Sequence, residues 1–107
     1  MTTIFDVRSG ACSHGARIEA EIEQNTVRLR ITSTCPRVQK YGERLGSVDV
    51  KDLLKPMSVN PVYTLAHGLT PTCAVPCAVL NACWAEAGPI SKNLLKNHPT
   101  ITIEYKS

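Results

Sequence analysis

The chain has 107 residues, 43% of them hydrophobic, which is enough for one modest core and too apolar for a disordered segment. Twelve basic and nine acidic residues leave a formal charge of +3, the basic ones are scattered, and one Trp, three Tyr and one Phe offer no row of stacking platforms, so no nucleic-acid partner is expected. No apolar run approaches the roughly 18 residues of a membrane span, and Met1-Thr2-Thr3-Ile4-Phe5-Asp6 lacks the features of a secretory signal; the expectation is one cytoplasmic domain over residues 1–107, no membrane contact and reduced thiols.

Residues 3–8 read as a first strand, followed by the turn signal Ser9-Gly10-Ala11-Cys12-Ser13-His14-Gly15. From Arg17 to Glu23 the chain alternates, with Ile18, Ala20 and Ile22 on one face and Glu19, Glu21 and Glu23 on the other. Val27, Leu29 and Ile31 alternate with Arg28 and Arg30 in the next strand. A two-residue turn at Gln24-Asn25 sets a register in which Ile22 meets Val27, Ala20 meets Leu29 and Ile18 meets Ile31. On the opposite face Glu21 meets Arg28 and Glu19 meets Arg30. Apolar pairs and opposite charges agree in that single register, each pair contributing roughly 0.2–1 kcal/mol.

The remainder reads mainly as helix. Pro36 to Leu45 places Val38, Tyr41 and Leu45 at helical spacing, and Gly46 stops it. Asp49 can cap a short helix through Leu54, and Asn60-Pro61 opens another that ends at Gly68. Pro76 sets the start of the next helix between Cys73 and Val75, because its missing N–H is harmless only in the first turn. That helix runs to Gly88, a helical turn follows around Ser91 to Lys96, and Ile101, Ile103 and Tyr105 alternate as a last strand. The elements amount to an α+β fold: a small antiparallel sheet, a three-strand meander plus a C-terminal strand, with helices packed on one face.

Five cysteines are the chemical signal. An odd number argues against a fully paired disulfide framework. Thr34-Cys35-Pro36 and Cys73-Ala74-Val75-Pro76-Cys77 both set a thiol beside a proline that opens a helix. A thiol there faces unpaired backbone N–H groups and the positive end of the dipole, a setting that favours thiolate, the form that binds metal or attacks sulfur. The meander runs up, down and up, so Cys12 and Cys35 are expected at one sheet edge. Cys73 joins them if its helix packs with its N-terminus there. Cys77, four residues on, and His14, two residues after Cys12, are the candidates to complete a ligand set of Cys12, Cys35 and Cys73 around an iron–sulfur cluster or zinc. Cys83 lies about 120° around the helix from Cys77 and reads as a packing residue. Trp84 and Tyr63 read as core, and Glu86 as a solvated helix charge. No hydrolase triad or phosphate loop is present, so the expected role is non-enzymatic.

The order of a strand, a cysteine turn, two strands, a cysteine-headed helix and a later cysteine helix resembles the IscU/NifU N-terminal scaffold of iron–sulfur cluster assembly. The matching pieces are Gly10-Ala11-Cys12-Ser13-His14, Arg28 to Cys35, and Cys73 to Glu86. The resemblance implies that Cys12 and Cys35 are the first two cluster ligands. It leaves the third among Cys73, Cys77 and Cys83, with Cys73 preferred. Where that family has Cys-Gly-Asp, this chain has Cys12-Ser13-His14, and Thr72 stands where the family has a histidine before its third cysteine. A cysteine desulfurase as sulfur donor and a cluster-acceptor protein are the partners the resemblance implies. Two other readings stand beside the metal site. Cys35-Pro36 is similar to the Cys-Pro helix opening of small sulfur-carrier proteins, with Cys35 as nucleophile and Cys12 as resolving thiol. In the other, the cysteines only pack, and the chain is an interaction module with an exposed sheet edge through which it could form a homo-oligomer.

Overall fold

A computed structural model describes residues 2–8 and 11–107. Strands β1 (Thr2–Arg8), β2 (Gly15–Glu23) and β3 (Thr26–Ser33) form the antiparallel meander. The Ser9-Gly10 start of the first turn lies outside the described residues. Between β2 and β3 the register is the one the alternation implies: Ile22 faces Val27, Ala20 faces Leu29, Ile18 faces Ile31, Glu21 faces Arg28 and Glu19 faces Arg30. Gln24 makes the tight turn with φ of 55°. Ala16, Ile18, Ala20, Val27 and Ile31 are buried on one face, whereas the opposite face carries the charges. Arg17 there holds Asp6 on β1 with two hydrogen bonds of 2.9 and 3.1 Å. Both side chains are about half exposed, so the pair steadies register more than it adds stability. Arg28 takes the diagonal Glu23, at 2.6 Å, as its ion-pair partner instead of Glu21 opposite.

After β3 the chain enters α1 (Pro36–Leu45), whose Val38, Tyr41 and Leu45 are buried against the sheet as their spacing predicts. Gly46, at φ 59°, ends the helix and turns the chain back along β3. Strand β4 (Ser47–Asp49) then pairs antiparallel with β3, Val48 facing Val27. It is followed by α2 (Val50–Leu53), α3 (Pro61–Thr64), α4 (Val75–Ala87) and α5 (Lys92–Asn97). Helix α1 lies on β3, and α4 crosses β1 and β2. Seven of the thirteen α4 residues are buried, because that helix is covered by the sheet on one side and approached by α2 and α3 on others. No helix among the described residues is long and apolar enough to cross a membrane.

The fourth strand is a correction. It comes from Ser47–Asp49 and not from the C-terminal alternation, since residues 98–107 form neither helix nor strand. Alternation makes a segment competent for a sheet, but pairing requires an edge within reach, and the return from α1 delivers β4 to β3 first. Two smaller differences have local causes. Asp49 does not cap α2 with its side chain, because its carboxylate accepts from Thr26 Oγ1 across the strand pair at 3.2 Å. The helix opened by Asn60-Pro61 ends at Thr64, with turns carrying the chain to Gly68.

One glycine decides how closely α1 can approach the sheet. A Cβ on Gly42 would stand 2.8 Å from Ile31 Cβ, an atom fixed to the β3 backbone. Gly42→Ala improves helix propensity by about 1 kcal/mol, yet it forces helix and strand apart. The expected net is a loss of about 1–2 kcal/mol, read as a lower urea midpoint; a midpoint equal to or above wild type would show that the helix simply slides.

Candidate functional site

At the end of the sheet where β2 begins and β3 finishes, polar side chains stitch the two strands to the start of α1. Ser33 Oγ donates to the Gly15 carbonyl at 2.7 Å and accepts from the Cys35 N–H at 3.0 Å. Gln39 reaches back from α1, its Oε1 accepting from the Ser33 N–H at 3.1 Å. His14 Nδ1 and Thr34 Oγ1 share a hydrogen bond of 2.8 Å. Cys35 is thereby held at the N-cap position with extended backbone (φ −80°, ψ 118°), Pro36 follows in the first turn, and no side chain caps the helix. Its carbonyl accepts from the Gln39 N–H at 3.0 Å and closes the first turn.

Cys73 arrives from the opposite direction. Its N–H donates to the Thr70 carbonyl at 3.0 Å in the Thr70-Pro71-Thr72 turn, and Ala74 caps α4, so Cys73 stands one residue before the cap. Because α4 crosses β1 and β2 with this end over the finish of β3, the three segments enclose one cleft of about 550 Å3. Cys12, His14, Cys35 and Cys73 all line it, with apolar walls from Val7, Ala16, Val38, Leu69 and Val75. Cys35 and Cys73 are partly buried there and Cys12 is exposed. Arg37 lines the same cleft, one of several wall residues that a search for cysteine motifs passes over.

Cys77 and Cys83 are not among the cleft-lining residues. Cys77 is exposed on α4, where Asn81 Nδ2 donates to its carbonyl at 2.8 Å and approaches its Sγ at 3.6 Å. Cys83 is wholly buried; burial, followed by the nearby Glu86 charge, pushes its thiol up to about 12, which suits a packing residue and disables a nucleophile. His67 lies against the Thr64 carbonyl and His98 ends α5. Trp84 packs on the core with its indole N–H donating to the Leu53 carbonyl at 2.8 Å.

The gathering in one cleft is not a coordination sphere. Among the described residues no three Cys, His, Asp or Glu side chains stand together closely enough to hold a metal ion. The expectation for Glu86 also changes: its side chain is 1% exposed, not solvated. It accepts hydrogen bonds from Thr3 Oγ1 and the Ile22 N–H and pairs with Lys92 at 2.5 Å. Nothing in the helical spacing of α4 flags this, because the partners come from two strands and from beyond Gly88.

Compared with known proteins, residues 3–98 match the model of a family of unknown function (DUF6951). No curated protein and no solved structure matches the chain.

Proposed function

The chain belongs to DUF6951, a family of unknown function, and from the chemistry of its cleft we propose that it is a sulfur-transfer protein working through the Cys35 thiol. The observation that carries this reading is the convergence of Cys12, Cys35 and Cys73, from three separate segments, on one largely apolar cleft. A persulfide is a reactive cargo, and apolar walls keep it from water and stray thiols. Cys35 is the acceptor: its backbone is pinned by Ser33 and by the first turn of α1, and the residue lines the cleft, partly buried, at a helix start that no side chain caps.

The chemistry closes without further reagents. The Cys35 thiolate attacks the outer sulfur of a donor persulfide; the donor S–S bond breaks, the donor leaves as a thiolate, and Cys35 carries the extra sulfur. An acceptor thiolate that attacks that outer sulfur takes it away and restores the Cys35 thiolate, with no net oxidation. If Cys12 or Cys73 instead attacks Cys35 Sγ, hydrosulfide leaves and a protein disulfide remains: two thiols are oxidised and the carried sulfur is reduced.

Anaerobic incubation with a low-molecular-weight persulfide, or with a cysteine desulfurase and cysteine, followed by intact-mass and peptide mass spectrometry, tests the reading. Wild type and Cys77→Ser are expected to gain one sulfur atom on Cys35, and Cys35→Ser to gain none there. A Cys35 left unmodified in the wild type overturns it. A second reading, zinc or iron–sulfur binding with the IscU/NifU likeness, is favoured by His14 lying on the same cleft as the three thiols. It requires the turn that carries Cys12 to close on Cys35 and Cys73. Stoichiometric metal in anaerobically prepared protein, lost in each of Cys12→Ser, Cys35→Ser and Cys73→Ser, would select it over sulfur transfer.

A further inference from the structure

The C-terminal segment keeps the sequence of a strand while pairing with no strand among the described residues. Ile101, Ile103 and Tyr105 alternate with Thr100, Thr102 and Glu104, and Ile103 and Tyr105 are 93% and 90% exposed. The family match stops at residue 98, immediately before this segment. On the other side of the ledger, β1 stands at the end of the sheet order with β2 on one side only. Its inward residues Phe5 and Val7 are only partly buried, although they pack against the core. An amphipathic strand and an unsatisfied sheet edge are thus both present, each missing what the other supplies.

We propose that the segment 100–106 of one copy adds as an antiparallel strand to the β1 edge of a second copy, so that the chain forms a strand-exchanged dimer. The register in which paired numbers sum to 108 covers the whole of β1. It sets Val7, Phe5 and Thr3 opposite Ile101, Ile103 and Tyr105, all on the face that the helices cover. On the solvent face it sets Arg8, Asp6, Ile4 and Thr2 opposite Thr100, Thr102, Glu104 and Lys106, with no like charges opposed. The parallel arrangement that covers the same length sets Asp6 beside Glu104 and Arg8 beside Lys106, which disfavours it. An antiparallel strand from the same chain would have to begin at the Arg8 end of β1. The preceding helix α5 is instead tied to the Thr3 end, through the Lys92–Glu86 pair and the Thr3–Glu86 hydrogen bond. Those two ends are about 17 Å apart, a distance that α5 and the residues after it cover only if both run along β1. A second copy needs no such path, and the exchange of two segments is a closed two-fold arrangement in which each segment occupies one β1 edge.

The test uses the full chain with reductant present, so that disulfide-linked species do not contribute. Sedimentation equilibrium is expected to give twice the chain mass at high concentration, and hydrogen exchange to show protection of amides 100–106 that rises with dimer fraction. Ile103→Lys places a charge on an exposed position of the monomer, so the fold is preserved, but it buries that charge at the interface. Its dimer dissociation constant is expected to rise at least tenfold, with the segment losing protection. A monomer with an unprotected segment overturns the proposal, and so does a monomer whose segment is protected, since that is intramolecular pairing. A dimer unaffected by Ile103→Lys also overturns it, because another surface then holds the copies together. None of these outcomes bears on Cys35 persulfidation.

Discussion

Asn60→Ala is expected to cost about 3 kcal/mol of folding stability, as large an effect as removing a buried aliphatic side chain. Asn60 is completely buried. Its Nδ2 donates to the carbonyls of Leu53 and Lys55, each at 3.2 Å, and its Oδ1 accepts from the Val62 N–H at 3.1 Å, capping α3. One side chain therefore closes the loop between α2 and α3 from both ends. Loss of the cap costs about 1 kcal/mol. The buried Val62 N–H left without a partner adds about 1–3 kcal/mol more, whereas the Lys55 carbonyl, on an exposed residue, turns to water. The Leu53 carbonyl retains the Trp84 indole and contributes less to the loss. Asn60→Asp discriminates between the two contributions: it keeps the acceptor for Val62 but aims a carboxylate at two carbonyls, and it should be at least as destabilising as alanine. Urea unfolding with an unchanged slope and a lowered midpoint is the expected readout. An Asn60→Ala protein within about 0.5 kcal/mol of wild type would mean that water replaces the amide.

Glu86→Gln is expected to cost about 2 kcal/mol near neutral pH and to flatten the acid side of the stability profile. Burial opposes ionisation of this carboxyl. Hydrogen bonds from Lys92, Thr3 and the Ile22 N–H, together with the Lys92 charge, more than offset it and hold the carboxyl below its ordinary value. The sign follows directly. A group with a lower folded than unfolded value contributes stability that is complete above the unfolded carboxylate range, near about 4.3, and is lost as pH falls through the folded value. Wild type should therefore lose stability on acidification faster than Glu86→Gln, the two curves converging at low pH. Lys92 is 37% exposed, so solvent weakens the ionic part, and the hydrogen bonds that Thr3 Oγ1 and the Ile22 N–H donate to the carboxylate make up the rest. Parallel curves for the two proteins would show that the Glu86 carboxyl binds its proton alike in the folded and unfolded chains, and a wild type that gains on Glu86→Gln as pH falls would show that it is neutral in the native state.

Both residues illustrate what periodicity can and cannot carry. Asn60 announces itself by standing before Pro61, where a cap is wanted, and the structure uses it so. Its two further bonds to Leu53 and Lys55 depend on how the loop folds back and have no local signature. Glu86 reads as a surface charge on α4 because a single helix shows only its own spacing. Its burial arises from β1, β2 and the chain beyond Gly88 meeting over it. The C-terminal alternation is legible as a strand pattern, but nothing local says whether an edge is within reach, and the short β4 reaches β3 first.

The amino-acid order determined the β2–β3 register, the cysteine-headed start of α1 and the proline-limited start of α4, because alternation, turn length and a missing N–H act over a few residues. Tertiary structure alone decided that Cys73 joins Cys12 and Cys35 in one cleft while Cys77 stays outside it, that the Glu86 side chain is covered, and that Ser47–Asp49 fills the fourth sheet position. Those outcomes depend on where helices dock against the sheet, and docking is set by contacts between segments tens of residues apart, which no local pattern records.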